Sequence, residues 1–406
     1  MIIRARVVAP MTGEPIDDGA VVVEGNKIAG VGRFADVHRS SSGEVLDLGE
    51  QILLPGLINA HCHLDYTMLR GKIGPQQSFA DWIVAINAAK AALSETDYVK
   101  SITAGLAEAR QYGTTTLLNL EAFPELLPQL PRRTLRVWWC AEMIDVRKPI
   151  EARGVFERLR GAFHSQPDWL GGIGLAPHAP YTASSQLYRD ASEIARKEGV
   201  PFTTHLAESS EEMQMFREAR GPAFDFLKSI GRPMEDCGRE TPLSLVIRQQ
   251  AITEDWMVAH LNELGQGDFE LLARAPKFHI VHCPRSHRFF GHAPFALQQL
   301  RKLGFNICLG TDSLASNSSL SLFAEMRELL RKEASLAPRD LLEMVTIHAA
   351  EAIGEKSKLG QISPGFHADM IAIPCEAARP NLWEHIVAFD QIVSWTMVNG
   401  QVLRAA

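Results

Sequence analysis

The reading of this chain turns on ILLPGLINAHCHLD, residues Ile52 to Asp65. An apolar run is punctuated by Pro55 and Gly56, resumes through Leu57 and Ile58, and ends on His61, Cys62 and His63. In an extended strand alternate side chains share a face, so His61 and His63 point one way and Cys62 the other. Two imidazoles at a strand end can hold one divalent metal, each through one ring nitrogen. They can equally be polar residues at an exposed strand end, because two ligands do not close a site. Other parts of the chain have to supply the rest.

Upstream, the first ~50 residues read as short strands. Ala20 to Glu24 is β-branched, Gly25-Asn26 turns the chain, and Lys27 to Val31 carries it back, a hairpin pattern. Downstream, the pattern alternates. Phe79 to Leu93 and Tyr98 to Tyr112 have helical spacing of apolar residues. Strands follow at Thr114 to Leu118, Leu135 to Met143, Ile173 to Ala176, Val200 to His205, Trp256 to His260, Phe278 to His282 and Phe305 to Thr311. The helix over Ser184 to Gly199 has a Ser start and a Gly stop, and Ser209 with Glu212 resembles a capping box. With the strand ending at His61 there are eight strands with helices between most of them. That pattern predicts an α/β fold, a (β/α)8 TIM-like barrel over residues 52–355. Short strands return in Ala368 to Ile373 and Ile392 to Leu403, so residues 1–51 and 356–406 are expected to build a small β-sandwich domain from both chain ends. The stretch Gly221 to Gln250 is long for a barrel connection and is a candidate cover for the site.

Composition narrows the function classes. The 406 residues are 46% hydrophobic and 22% charged, ordinary for a globular protein, and the net charge of −7 argues against a nucleic-acid binder. No apolar run approaches the roughly 20 residues of a bilayer span. The start, MIIRARVVAPMTGEP, carries no secretory pattern. Six scattered cysteines without a CxxC pair suit a cytoplasmic setting. The expected partner is a small-molecule substrate, with neither nucleic acid nor membrane; whether copies associate as a homo-oligomer is left open.

Barrel active sites lie at the C-terminal ends of the strands, and polar residues recur there: His61 and His63, His178, His205, His260, His282 and Asp312. Six histidines out of fourteen at one end of a barrel are hard to assign to packing. His61, His63, His205 and Asp312 would offer three nitrogens and one oxygen and leave a position for water. Taken singly, His205 reads as a buried bonded histidine and Asp312 as a helix N-cap. Ala176-Pro177-His178 stands where a two-metal site would need a bridging lysine, so one divalent metal is expected, with zinc favoured over iron or manganese by ligand type. Glu208 lies three residues beyond His205, placed to exchange protons with a substrate, or else is a first-turn glutamate favoured by the helix dipole. His260 could orient water or support a ligand. His178, His282, Arg285, Ser286 and His287 are candidate substrate contacts. Phe79 and Trp82 read as helix-packing residues, and Cys62 and Cys283 have no base beside them to make a thiolate.

The pieces LPGLINAHCHLD, APHAPYT, THLAES, VAHLNEL, HCPRSH and GTDSLASN, in this order, resemble the amidohydrolase superfamily and, within it, the metal-dependent aminohydrolases. The H-x-E with P-C-x-x-C signature of other zinc deaminases is absent, as is HExxH. The resemblance implies that His61, His63, His205 and Asp312 bind the metal, that Glu208 protonates a ring nitrogen, and that His260 and Asp312 assist the attacking water. A metal lowers the pKa of bound water from roughly 15.7 to about 7. The implied reaction is therefore hydrolytic deamination of an aminopurine-like compound by metal-bound hydroxide, with release of ammonia.

The run SFADWIVAIN with HLAESSEE and HCPRSH is similar to aminodeoxyfutalosine deaminases. Ala91 stands where relatives acting on adenosine thioethers carry a ribose-binding glutamate, which counts against S-adenosylhomocysteine and methylthioadenosine. Arg285, Arg288 or Arg70 would then face a substrate carboxylate. The competing expectations are a hydrolase of the same fold that releases chloride or an alkylamine from an N-heterocycle, and a non-catalytic metal-binding scaffold.

Overall fold

The computed structural model describes residues 1–130, 135–166, 168–249, 252–376 and 379–403. Eight parallel strands form a closed ring: Leu57–His63, Thr114–Glu121, Arg136–Met143, Leu170–Pro177, Phe202–Leu206, Trp256–His260, His279–His282, and an eighth that runs Asn306–Leu309 and resumes as Asp312–Ser313. Neighbours pair in chain order, and Asp312 and Ser313 pair with Cys62 and His63 to close the barrel. All eight strands of the sequence reading are present, with helices packed outside them. The helix Ser185–Glu198 is capped by the Ser184 hydroxyl and stopped by Gly199 in the left-handed conformation. None of the described helices is long and apolar enough to cross a membrane.

The two chain ends share one sheet. Ile2–Val8, Ile16–Glu24 and Lys27–Arg33 run antiparallel, with a bulge between Val22 and Val23. Gln51–Pro55 pairs in parallel with the first of these and antiparallel with Met370–Pro374 from the far end of the chain. The opening motif is thus two strands in two sheets. Ile52 and Leu54 face the barrel's outer core and Leu53 faces the terminal sheet's own core. The chain changes sheets at Pro55-Gly56, where a Cβ on Gly56 would lie 2.1 Å from the Thr115 hydroxyl and 2.7 Å from its Cβ, so glycine is what fits against the Thr115 side chain. The junction is also fastened by a buried ion pair: Arg136 Nε donates to Asp369 Oδ2 at 2.5 Å, and the Asn399 main-chain N–H donates to Asp369 Oδ1 at 2.6 Å.

Inside the barrel, Ile58 and Ala60 pack with Leu118, Leu120, Trp138 and Met257 to fill its lower half. Strict alternation from Ile58 and Ala60 would turn Cys62 inward and both histidines outward. A bulge prevents this: Asn59 lies opposite Leu117 while Cys62 lies opposite Asn119, so one extra residue sits in the first strand. The phase flips, Cys62 joins the outer core, and His61 and His63 enter the barrel mouth. The Asn59 side chain holds the bulge to the eighth strand, donating to Thr311 Oγ1 at 2.8 Å and accepting from the Thr311 N–H at 3.1 Å.

Candidate metal centre and catalytic site

The mouth of the barrel gathers residues from five strands. His63 Nε2 lies 3.3 Å from His205 Nε2, and Asp312 Oδ1 lies 3.8 Å from Nε2 of both His61 and His63. Three overlapping sets, His61 with His205 and His260, His61 with His63 and Asp312, and Glu208 with His260 and Asp312, each offer ligand atoms within 4.8 Å of one another. The His205 ring and main-chain nitrogens both lie 2.8 Å from the His178 carbonyl oxygen, Nδ1 and N–H respectively. With Nδ1–H donated there, Nε2 keeps its lone pair toward the cluster. Asp312 Oδ2 accepts from the Ser286 hydroxyl at 2.6 Å and the Ser316 hydroxyl at 3.1 Å, which leaves Oδ1 to the histidines.

The backbone at the strand ends is unusual. His260 (φ 74°) and Asp312 (φ 55°) are both in the left-handed region, a conformation that costs a non-glycine residue roughly 1–3 kcal/mol and gathers at functional sites. The same bends continue through Ala207 and Leu261. Asn262 stitches them together: its main-chain N–H donates to the Ala207 carbonyl at 2.9 Å and its amide donates to the Glu208 carbonyl at 3.1 Å. Glu208 is thereby aimed inward, with Oε1 3.7 Å from His260 Nε2. Ser209 caps the following helix as expected, but the reciprocal bond of the box goes one residue back, from the Glu208 N–H to Glu212 Oε2.

Burial sets the protonation states. It holds His63, His178 and His260 well below their ordinary values, so they are neutral and able to bind a metal. Burial, aided by the Asp312 charge, pushes the Glu208 carboxyl well above the usual carboxylate range, which favours its protonated form. Burial also acts to raise Asp312, but His260, His61 and the Ser286 hydroxyl outweigh it and bring the carboxyl below its ordinary value. The donor set fits a metal. Both ring nitrogens of His61 and Nε2 of His260 are buried without a hydrogen bond, which a protein interior rarely tolerates; a cation in the cluster would satisfy the one lone pair that each neutral ring can turn toward it.

A cavity of about 770 Å³ opens from this cluster. His178 lines it, and so do Phe79 and Trp82, which also pack against Phe290. Phe226, Leu227 and Ile230 bring the 221–249 stretch to its wall; Gln250 lies outside the described residues. The other expected contacts lie elsewhere. Ser286 serves Asp312. Arg285 Nη1 donates to Ser319 Oγ at 2.7 Å, His287 Nε2 meets the Ala293 carbonyl at 2.8 Å, and His282 stacks on Phe295 at 4.0 Å; none of the three lines the main cavity. Arg288 pairs with Glu328 and Arg70 with Glu108. The cations of the cavity wall are instead Lys90, Arg147 and Lys148. Burial raises the Cys62 and Cys283 thiols well above their ordinary value, which excludes a ready thiolate. Glu142, at the end of the third strand, was not singled out from sequence although the strand-end rule would have found it. Its Oε1 lies 3.7 Å from His63 Nδ1.

Residues 52–403 match the profile of the amidohydrolase family. The chain belongs to that family. Among curated members, it is 30% identical over 374 residues to the 5-methylthioadenosine/S-adenosylhomocysteine deaminase of Pyrococcus furiosus, an alignment covering 89% of this chain and 83% of the relative. Among solved structures, the aminofutalosine deaminase of Helicobacter pylori superposes with a TM-score of 0.87 at 19% identity, covering 99% of this chain and all of that one. An adenosine deaminase from Xanthomonas campestris with bound zinc gives 0.82 at 22% identity, covering 99% and 92%. The amidohydrolase membership, the deaminase relatives and the buried His/Asp cluster together make this chain a hydrolytic deaminase with a divalent-metal centre.

Proposed function

We propose that the protein is a zinc-dependent deaminase of adenine nucleosides, replacing the exocyclic amine by oxygen and releasing ammonia. The observation that carries this reading is the meeting of Glu208, His260 and Asp312 around the histidine cluster. A proton donor, a neutral imidazole and an ionised carboxylate then converge where an amine-bearing carbon would sit. His61, His63, His205 and Asp312 are the ligands in this reading, and zinc held by them supplies the Lewis acidity that makes water nucleophilic near neutral pH. Asp312 Oδ1 accepts a proton from the attacking water, while Ser286 and Ser316 keep Oδ2 occupied and the carboxylate oriented. His260 Nε2 accepts the second hydrogen bond of that water. Glu208 gives its proton to the ring nitrogen next to the reacting carbon, which makes that carbon electrophilic. The carbon–nitrogen bond breaks as the amine takes up a proton from this set, so one water is consumed and one ammonia leaves.

The relatives named for adenosine, 5′-deoxyadenosine, methylthioadenosine, S-adenosylhomocysteine and aminofutalosine define the panel for the test. Protein of measured metal content is assayed for ammonia against these compounds and against chloro- and alkylamino-triazines. Ammonia from an adenine nucleoside, lost on chelation and restored by zinc, is the expected result. Chloride or alkylamine release without ammonia would move the reading to the other hydrolases of the fold. A metal-loaded protein inert across the panel would sink it.

A further inference from the structure

Three carboxylates reach the cavity wall among the described residues: Asp312, Glu208 and Glu142. The first two belong to the cluster. The Glu142 side chain is only 5% exposed, and its carboxylate forms no hydrogen bond among the described residues. The His63 ring nitrogen Nδ1, at 3.7 Å, is beyond hydrogen-bond reach. A carboxylate can accept hydrogen bonds at both oxygens, and those of Glu142, on the cavity wall, meet no protein donor among the described residues. Tyr66, Tyr98 and Thr182 on the same wall are already engaged. Tyr66 stacks on His63 with the planes 3° apart, and its hydroxyl accepts from Lys90 Nζ at 2.5 Å. The Tyr98 hydroxyl donates to the Lys90 carbonyl at 3.1 Å, and Thr182 Oγ1 lies 2.7 Å from His178 Nδ1. Glu142 is therefore a preformed acceptor beside the metal cluster with capacity left for a ligand.

We infer that Glu142 is a specificity-determining residue whose carboxylate accepts hydrogen bonds from the sugar hydroxyls of the nucleoside. This rests on the adenine-nucleoside reading above. A purine is short and rigid, so a sugar on it begins one ring-width from the reacting carbon, within the cavity that Glu142 helps to line. A carboxylate can receive both hydroxyls of a vicinal diol, the same chemistry by which an acidic residue holds a ribose in dinucleotide-binding folds. A site built to bond a hydroxyl discriminates against the analogue lacking it, because its own buried acceptor is then left unmet.

The test compares kcat/KM for adenosine and 2′,3′-dideoxyadenosine in the wild type, E142A and E142Q, with metal content measured on each. The wild type is expected to prefer the hydroxyl-bearing substrate by about 10- to 100-fold. In E142A that ratio falls to about one, and in E142Q, which keeps one acceptor oxygen, it lies between. An unchanged ratio in E142A overturns the inference. So does an equal loss on both substrates with loss of metal, since Glu142 would then act through His63. If the wild type releases no ammonia from any adenine nucleoside, the functional reading falls, and calorimetric binding of inosine against 2′,3′-dideoxyinosine decides the inference separately. A preference present in the wild type and lost in E142A upholds hydroxyl recognition, and no preference overturns it.

Discussion

Gly310 stands at the break in the eighth strand, pressed against the main chain of His61. A Cβ there would lie 2.7 Å from the His61 carbonyl oxygen, 2.8 Å from its Cβ and 3.0 Å from its nitrogen. Gly310 is outside the left-handed region, so the clash is the whole cost of replacing it with alanine. Two of the three atoms are backbone, and no rotamer change relieves them. Ordinary contact begins at 3.4 Å, so the strands must part by about 0.7 Å. Hydrogen bonds from the Gly310 N–H to the His282 carbonyl and from the Thr311 N–H to the His61 carbonyl, both 3.0 Å, oppose that movement. Overpacking of this kind costs about 1–3 kcal/mol. The larger effect is on the site, because the movement separates His61 from Asp312. Metal ligation tolerates roughly ±0.2 Å, and a misplacement of about 1 Å lowers a rate by about 100-fold. Gly310→Ala is therefore expected to retain less than about half the wild-type metal after gel filtration and to lose about 30- to 100-fold in kcat/KM. Its melting temperature should fall by a few degrees. Metal analysis, a thermal melt and ammonia release on one preparation measure all three. Full metal content with kcat/KM within about twofold of wild type would refute the reasoning.

Glu208→Gln keeps the shape but removes the transferable proton, so kcat/KM should fall by about 10²- to 10⁴-fold with metal content unchanged. A loss smaller than about fivefold would mean that another group delivers the proton. Asp369→Ala leaves Arg136 buried with only the Asn399 side chain to meet it. It should cost about 3–5 kcal/mol of stability, seen in chemical denaturation, while kcat/KM at low temperature stays near wild type because the pair lies outside the site. An equal melting curve would show that the sheet junction does not depend on this pair.

Much of the fold was legible in the order of residues. Eight short strand-like runs with helical patterns between most of them specify a barrel because parallel strands need crossovers, and Ser184 and Gly199 mark one helix by local chemistry alone. The meeting of histidines in the barrel mouth was legible too, since they kept recurring at strand ends. The substrate wall was not. Arg285, Arg288 and Arg70 looked available for a ligand, yet each is bonded to partners more than thirty positions away, Ser319, Glu328 and Glu108. Glu142 gave no motif, because its significance lies in what fails to bond it.

Composition and periodicity by themselves determined a barrel with a histidine-rich mouth, since local side-chain size, branching and turn chemistry act over a few residues. Only the tertiary structure decided that His61 and His63 face inward. Alternation from Ile58 and Ala60 would have turned them out, and a bulge held by Asn59 to Thr311, 252 positions away, reverses the phase. A hydrogen bond closed across that separation depends on the whole barrel being assembled, and no window of sequence contains it.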